Sequence, residues 1–264
     1  MSTIRYHHSV QGPSDAPALV LANSLGTTVE MWRPQMGRLL GRFRVVRFDL
    51  PGHGGSPAPD GPYTIEDLGR GVIALLDDLG IERAHLVGLS IGGMISMWVA
   101  AAAPERVDRL VLCSTSAQLG PPEGWASRAE TVLAQGTGAV AELVVGRWFT
   151  PRFAAAHPDV IAEMLAMIES VSPVGYAGCC RALERMDLRP DLARIVAPSL
   201  VVVGDDDPAT PPAHGERIVA GIPGSRLARV VDAAHLLNIE QPMAVGRLIE
   251  DHLQAERAEV RHDR

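Results

Sequence analysis

The chain has 264 residues, 47% of them apolar, which suffices to bury the core of one large domain or of one domain carrying an insertion. Its formal net charge of −7 argues against a general nucleic-acid-binding or membrane-surface protein, because either needs a positive field. Every one of the 24 cationic side chains is an arginine, so an anionic small substrate would be met by a planar guanidinium fork.

The first residues, MSTIRYHHSVQG, lack an apolar core of signal-peptide length, and no run reaches the roughly 18 apolar residues of a membrane span. Short leucine- and valine-rich runs then recur at 18–24, 44–50, 84–90, 109–115 and 199–205, as expected of strands buried on both faces of a parallel sheet. Between them lie helical patterns. In TIEDLGRGVIALLDDLG, Ile65, Leu68, Val72, Leu75 and Leu76 fall at helical spacing behind a cap at Thr64. The alternation stops after Thr115. From about Gln118 to Asp191 the pattern is helical, with SRAETVLAQGTGAVAELVVGRWF and PDVIAEMLAMIESV broken by Gly and Pro, before strands return at 199 and at 226–233 and a helix closes the chain near 243–253. The expected organisation is therefore an α/β core over 1–117 and 192–264 with a helical cap over 118–191. The charged residues after Gln254 are expected to fray. Cys113, Cys179 and Cys180 read as free thiols, since neighbouring cysteines bridge only with strain, and a reducing, cytoplasmic setting is expected.

Chemistry enters with GLSIG. A nucleophile on a sharp strand-to-helix turn needs a strained backbone, and side chains two positions either side would collide, so Gly88 and Gly92 around Ser90 fit a nucleophile elbow. The serine needs a base, and the base needs a carboxylate to hold its tautomer. VVVGDDDPATPP supplies Asp205, Asp206 and Asp207 directly after one strand, and VVDAAHLLNIEQP supplies His235 after another. Sequence physics leaves the three aspartates undecided. His53, upstream in DLPGHGGS, is a competing histidine read as structural or cleft-lining, while His7, His8, His85, His157, His214, His252 and His262 lack a neighbouring constellation. The developing oxyanion requires backbone donors, expected from Ile91, directly after the nucleophile, and from Leu25 in NSLGT. No spacing of His, Cys and acidic residues suggests a metal site, and no cofactor is expected.

Taken together these residues resemble the α/β-hydrolase family and, within it, the 3-oxoadipate enol-lactonases of the β-ketoadipate pathway. The similar stretches are LANSLGTTVEMWRPQ, GHGGSPAPDGPYTIEDL, GLSIGGM, RWFTP, DDDPATPP and HLLNIEQP, running from about Ala22 to Pro242. The resemblance implies an α/β-hydrolase fold, a mostly parallel central sheet flanked by helices with a cap inserted after the sixth strand. It places the acid on Asp207 and the base on His235. It also implies opening of 3-oxoadipate enol-lactone through an acyl-enzyme, with the substrate carboxylate held by Arg147, or alternatively Arg33, and with Trp148 as a pocket wall. Pro51, where an arginine is often found, and Leu237, where a small polar residue is usual, depart from that pattern near the expected cleft. Alternatives are a broad carboxylesterase, a cofactor-free perhydrolase, or a small-molecule receptor that keeps the fold. The expected partner is a small lactone or ester, with no nucleic acid or membrane.

Overall fold

The computed structural model describes residues 4–255. The expectations for His262 and for the charged terminal residues beyond Ala255 therefore lie outside the described residues. A short, mostly exposed strand that no apolar run announced, β1 (His8–Gln11), precedes the strands that the apolar runs form, β2 (Ala18–Ala22), β3 (Arg44–Phe48), β4 (Ala84–Leu89), β5 (Val107–Cys113), β6 (Ser199–Gly204) and β7 (Arg226–Val230). They make one sheet in the order β1-β3-β2-β4-β5-β6-β7, antiparallel only between β1 and β3. Every residue of β4 and β6 is buried, which is why their sequences carry no polar alternation.

The helices are α1 (Arg33–Leu39), α2 (Ile65–Asp78), α3 (Ile91–Ala102), α4 (Pro122–Gln135), α5 (Gly138–Val145), α6 (Pro151–Ala156), α7 (Pro158–Glu169), α8 (Pro173–Arg185), α9 (Pro212–Gly221), α10 (Leu237–Glu240) and α11 (Pro242–Gln254). The cap expected at Thr64 is present as a reciprocal capping box with Asp67, and α2 buries its expected stripe of Ile65, Leu68, Val72, Leu75 and Leu76. Ten of the twelve residues of α3 are buried, because it packs on β4 and β5 while α2 covers its other side.

Two features position the site. The chain runs from β2 outward to β3 and then back across to β4, so strand order reverses between β2 and β4; a crevice opens at such a switch point, at the carboxyl ends of the strands. The helical segment α4–α8 leaves from β5 and returns to β6 above that crevice. Its two ends meet in a neck, where Gln118 and Asp187 form an antiparallel bridge and the Leu188 N–H donates to the Ala117 carbonyl at 2.8 Å. This segment follows the fifth strand, not the sixth. Only one strand, β1, precedes β2 among the described residues, so the strand count is one lower than the resemblance implied. Helix α8, which no pattern announced, lies alongside α4 and buries Tyr176, Cys179 and Cys180. All three cysteines are free and buried, as expected. Among the described residues no single helix is long and apolar enough to cross a membrane.

Candidate active site

Ser90 stands between the last residue of β4 and the first of α3 at φ 57°, ψ −121°, a left-handed backbone that non-glycine residues rarely hold. The turn is held because the Ser90 N–H donates to the Cys113 carbonyl at 3.0 Å and the Ser90 carbonyl accepts from Thr115 Oγ at 2.7 Å. The flanking glycines are required by contact. A Cβ on Gly88 would lie 2.2 Å from the Gly92 carbonyl oxygen, and one on Gly92 would lie 2.3 Å from that of Ala22. The reading of GLSIG as a strained elbow thus has its steric cause in the crossing of α3 over β2 and β4.

His235 follows β7 and Asp207 follows β6, both almost completely buried. His235 Nδ1 lies 2.9 Å from Asp207 Oδ2. The carboxylate is further held by the Ala209 and Thr210 N–H groups at 2.8 and 3.0 Å on Oδ1 and by Thr210 Oγ at 2.7 Å on Oδ2. Burial by itself would raise the Asp207 carboxyl, but the His235 charge, its hydrogen bond and those from Thr210 outweigh it and hold the group well below the usual carboxylate range. Asp205 instead pairs at the surface with Arg229 Nε at 2.7 Å. The choice among three adjacent aspartates follows from where the turn after β6 points each side chain.

Ser90, His235 and Leu25 line one cavity of about 420 Å³, together with Trp148 and Arg147 from the segment between β5 and β6. Ile91 is wholly buried and does not itself line the cavity; at the first position of α3 its N–H has no intrahelical acceptor one turn earlier. Arg33 is not part of this cavity. It is exposed, and its Nη2 donates to both Glu163 carboxylate oxygens at 3.0 Å, because α1 turns that face toward α7 and away from the crevice. Pro51 and Leu237 do not line the cavity either.

Several residues of the site escaped sequence reading. Arg128, on α4, lines the cavity and lies over the Trp125 ring, its guanidinium carbon 4.6 Å from the centroid. The Tyr176 hydroxyl is buried at the same wall, beside Arg128, and burial holds the phenol protonated. Glu240, in the NIEQP stretch, is buried and accepts from the Ala234 N–H at 2.9 Å and from the Thr150 N–H and hydroxyl. With the Leu236 N–H donating to the Trp148 carbonyl at 2.9 Å, it ties the His235 loop to the helical segment between β5 and β6. A glutamate within the apolar LLNIE run was the available signal; for Arg128 there was none, since helix rotation decides which arginine faces inward.

His53 is fully buried and its ring is fixed by the Pro51 carbonyl at Nδ1 (2.9 Å) and the Gly26 N–H at Nε2 (3.0 Å). Burial lowers it from 6.5 to about 4. Folded His53 therefore stays neutral while an unfolded-chain histidine gains its proton near pH 6.5. Its contribution to stability is complete above that pH and is lost as pH falls toward 4, by about 3 kcal/mol for so wide a gap. Urea unfolding at pH 7.0 and 4.5 should show this loss, and His53→Gln should show a shallower fall; equal slopes would contradict it.

Among the described residues no group of three or more His, Cys, Asp or Glu side chains is arranged to hold a metal ion. The sequence profile of the alpha/beta hydrolase family matches residues 19–247. A curated relative, 3-oxoadipate enol-lactonase 2 of Acinetobacter baylyi, is 39% identical over 94% of this chain and 92% of its own length. The solved enol-lactonase of Burkholderia xenovorans LB400 superposes with a TM-score of 0.93 at 39% identity, covering 96% of this chain and 99% of that one. A thermophilic esterase from Thermogutta terrifontis, solved with malate bound, superposes with a TM-score of 0.89 at 31% identity over 94% of this chain and 92% of the other. With the family profile spanning most of its length, and relatives above 30% identity along nearly all of it, this chain is a hydrolase and belongs to the alpha/beta hydrolase family.

Proposed function

We propose that this protein opens 3-oxoadipate enol-lactone to 3-oxoadipate through an acyl-enzyme on Ser90. His235 removes the Ser90 proton as the hydroxyl attacks the lactone carbonyl, and Asp207 orients the imidazole and stabilises the imidazolium. Leu25 and Ile91 N–H groups receive the oxyanion. The ring oxygen leaves as an enolate, a better leaving group than an alkoxide, so protonation by His235 is less demanding here than in amide cleavage. The departing arm remains tethered and can reclose the ring until it tautomerises or moves. In this reading residues 118–191 act as a cap that limits water to the hydrolytic molecule.

The observation that carries the substrate reading is electrostatic. In a protein of net charge −7, the cavity that joins Ser90 to His235 is lined by two arginines, Arg128 and Arg147, and by no acidic side chain among the described residues. That wall suits a substrate with a carboxylate distant from the scissile bond, as in this lactone. Likeness to the 3-oxoadipate enol-lactonase of Acinetobacter baylyi supports the same substrate, and likeness to the Burkholderia enol-lactonase supports the same class of reaction.

The test compares the enol lactone with an uncharged lactone of similar size. The charged substrate should be preferred at least about 100-fold in kcat/KM, and Arg128→Met should raise its KM by about 10- to 100-fold with a several times smaller effect on the uncharged one, as expected for a hydrogen-bonded charge pair worth about 1.5–3 kcal/mol. Equal turnover of both lactones would sink the carboxylate reading. It would leave a broad carboxylesterase, to which the likeness to the thermophilic esterase lends support.

A further inference from the structure

Leu25 can aim its N–H at a substrate oxygen only if the peptide planes on both sides of its Cα are held. The plane that carries the Leu25 N–H ends in the Ser24 carbonyl, which accepts from the Thr27 N–H at 3.2 Å and from Thr27 Oγ at 2.8 Å. A trans peptide directs its N–H opposite its carbonyl, so these two bonds set one plane from within the loop. The next plane ends in the Gly26 N–H, and its acceptor comes from 27 residues away, on Nε2 of His53.

We propose that His53 is a positioning residue for the oxyanion site, holding the Gly26 peptide plane through its Nε2 lone pair and so fixing the direction of the Leu25 N–H. The inference rests on the serine-hydrolase reading given above. His53 is not among the residues lining the cavity, so it acts through the loop and not on the substrate. Only one tautomer serves. The Pro51 carbonyl facing Nδ1 can only accept, so Nδ1 carries the proton and Nε2 is left with its lone pair toward Gly26. Burial keeps the ring in this neutral form down to about pH 4. The ring also has nowhere to swing. It lies nearly parallel to the Tyr176 ring of α8, centroids 6.4 Å apart. The turn that bears it is pinned by the Gly52 N–H on the Pro57 carbonyl at 3.0 Å and by the Ser172 N–H on the Gly52 carbonyl at 2.8 Å. The loop is thereby braced from the core by His53, with the cap helix α8 behind the ring.

Two near-isosteric replacements separate this role from a general packing role. Glutamine puts an amide oxygen near the place of Nε2 and can still accept from Gly26, though it gives up Pro51; asparagine reaches Pro51 and falls short of Gly26. With p-nitrophenyl acetate and with the enol lactone, His53→Asn should lower kcat by about 10- to 100-fold with KM within about threefold, the size of effect that a donor displaced by about 1 Å produces. Phenylboronic acid, which forms a tetrahedral adduct on an activated serine, should bind it more weakly by a similar factor. His53→Gln should lose no more than about fivefold in either measurement. Equal losses in the two variants, or the better activity in asparagine, would overturn the proposal. So would an asparagine variant with wild-type kcat and boronate affinity. Thermal melts accompany both; if His53→Asn does not fold, a folded His53→Gln within about tenfold of wild type supports the proposal and a larger loss overturns it. A wild-type protein that neither hydrolyses these esters nor binds the boronate overturns the serine-hydrolase reading and this inference with it, whereas an active wild type beside an unimpaired asparagine variant overturns this inference alone.

Discussion

Replacing Ser90 with alanine is expected to lower kcat by about 10⁶, the order of loss seen when the nucleophile of such a constellation is removed. The fold should survive, for a specific reason. The hydrogen bonds that hold the elbow use the Ser90 N–H and carbonyl, not its hydroxyl, and alanine meets the same backbone demand at φ 57° as serine does. The melting temperature should therefore stay within a few degrees of wild type, and the residual rate should be that of cavity binding and the oxyanion donors alone. Steady-state turnover of the enol lactone, with mass spectrometry for an acyl adduct, decides the matter. A variant that hydrolyses at near-normal rate would remove Ser90 from the chemistry, and the elbow would be left as a packing device.

Asp207→Asn is expected to cost about 10⁴ in kcat while leaving KM nearly unchanged. The carboxylate oxygen 2.9 Å from His235 Nδ1 can only accept, so it keeps that nitrogen protonated and the other free to take the Ser90 proton. An amide in the same place can turn its NH₂ toward Nδ1 and favour the opposite tautomer, with the imidazole proton facing the nucleophile. A second effect adds to this: Asp207 remains ionised through the working pH range, and its loss removes the charge that steadies the imidazolium. Asp205→Asn serves as the comparison, since Asp205 spends its charge on Arg229 at the surface, and it should change kcat by less than about threefold. Equal losses from the two substitutions would contradict the assignment of the acid.

These expectations divide by range. What is local was legible in the chain. Unbroken apolar runs announced β2 to β6, because a strand covered on both faces has no reason to alternate. Thr64 announced the start of α2, because a cap is a local choice of a hydroxyl residue directly ahead of the helical stripe. Gly88 and Gly92 announced the elbow, because the close approach of α3 to β4 and β2 tolerates no side chain there. The chain order of Ser90, the aspartates and His235 could likewise be read from their places after successive strands.

What depends on how distant segments rotate against one another was not legible. Three aspartates in a row are equivalent in sequence; one meets His235 only because the turn after β6 directs Asp205 outward to Arg229 and Asp207 inward to Thr210 and the imidazole. Among 24 arginines, Arg128 and Arg147 enter the cavity while Arg33 is taken by Glu163, a choice made by the packing of α1, α4 and α7 and not by any local pattern. His53 meets Gly26 and Glu240 meets Thr150 across 27 and 90 residues, contacts that no periodicity encodes. Sequence alone determined the strands β2 to β7, the strained turn and the kinds of reactive side chain, since each follows from sterics within a few residues. Only the tertiary structure decided which of those side chains share one buried cavity, since a hydrogen bond needs a partner within about 3 Å and that distance is set by the closing of the whole sheet.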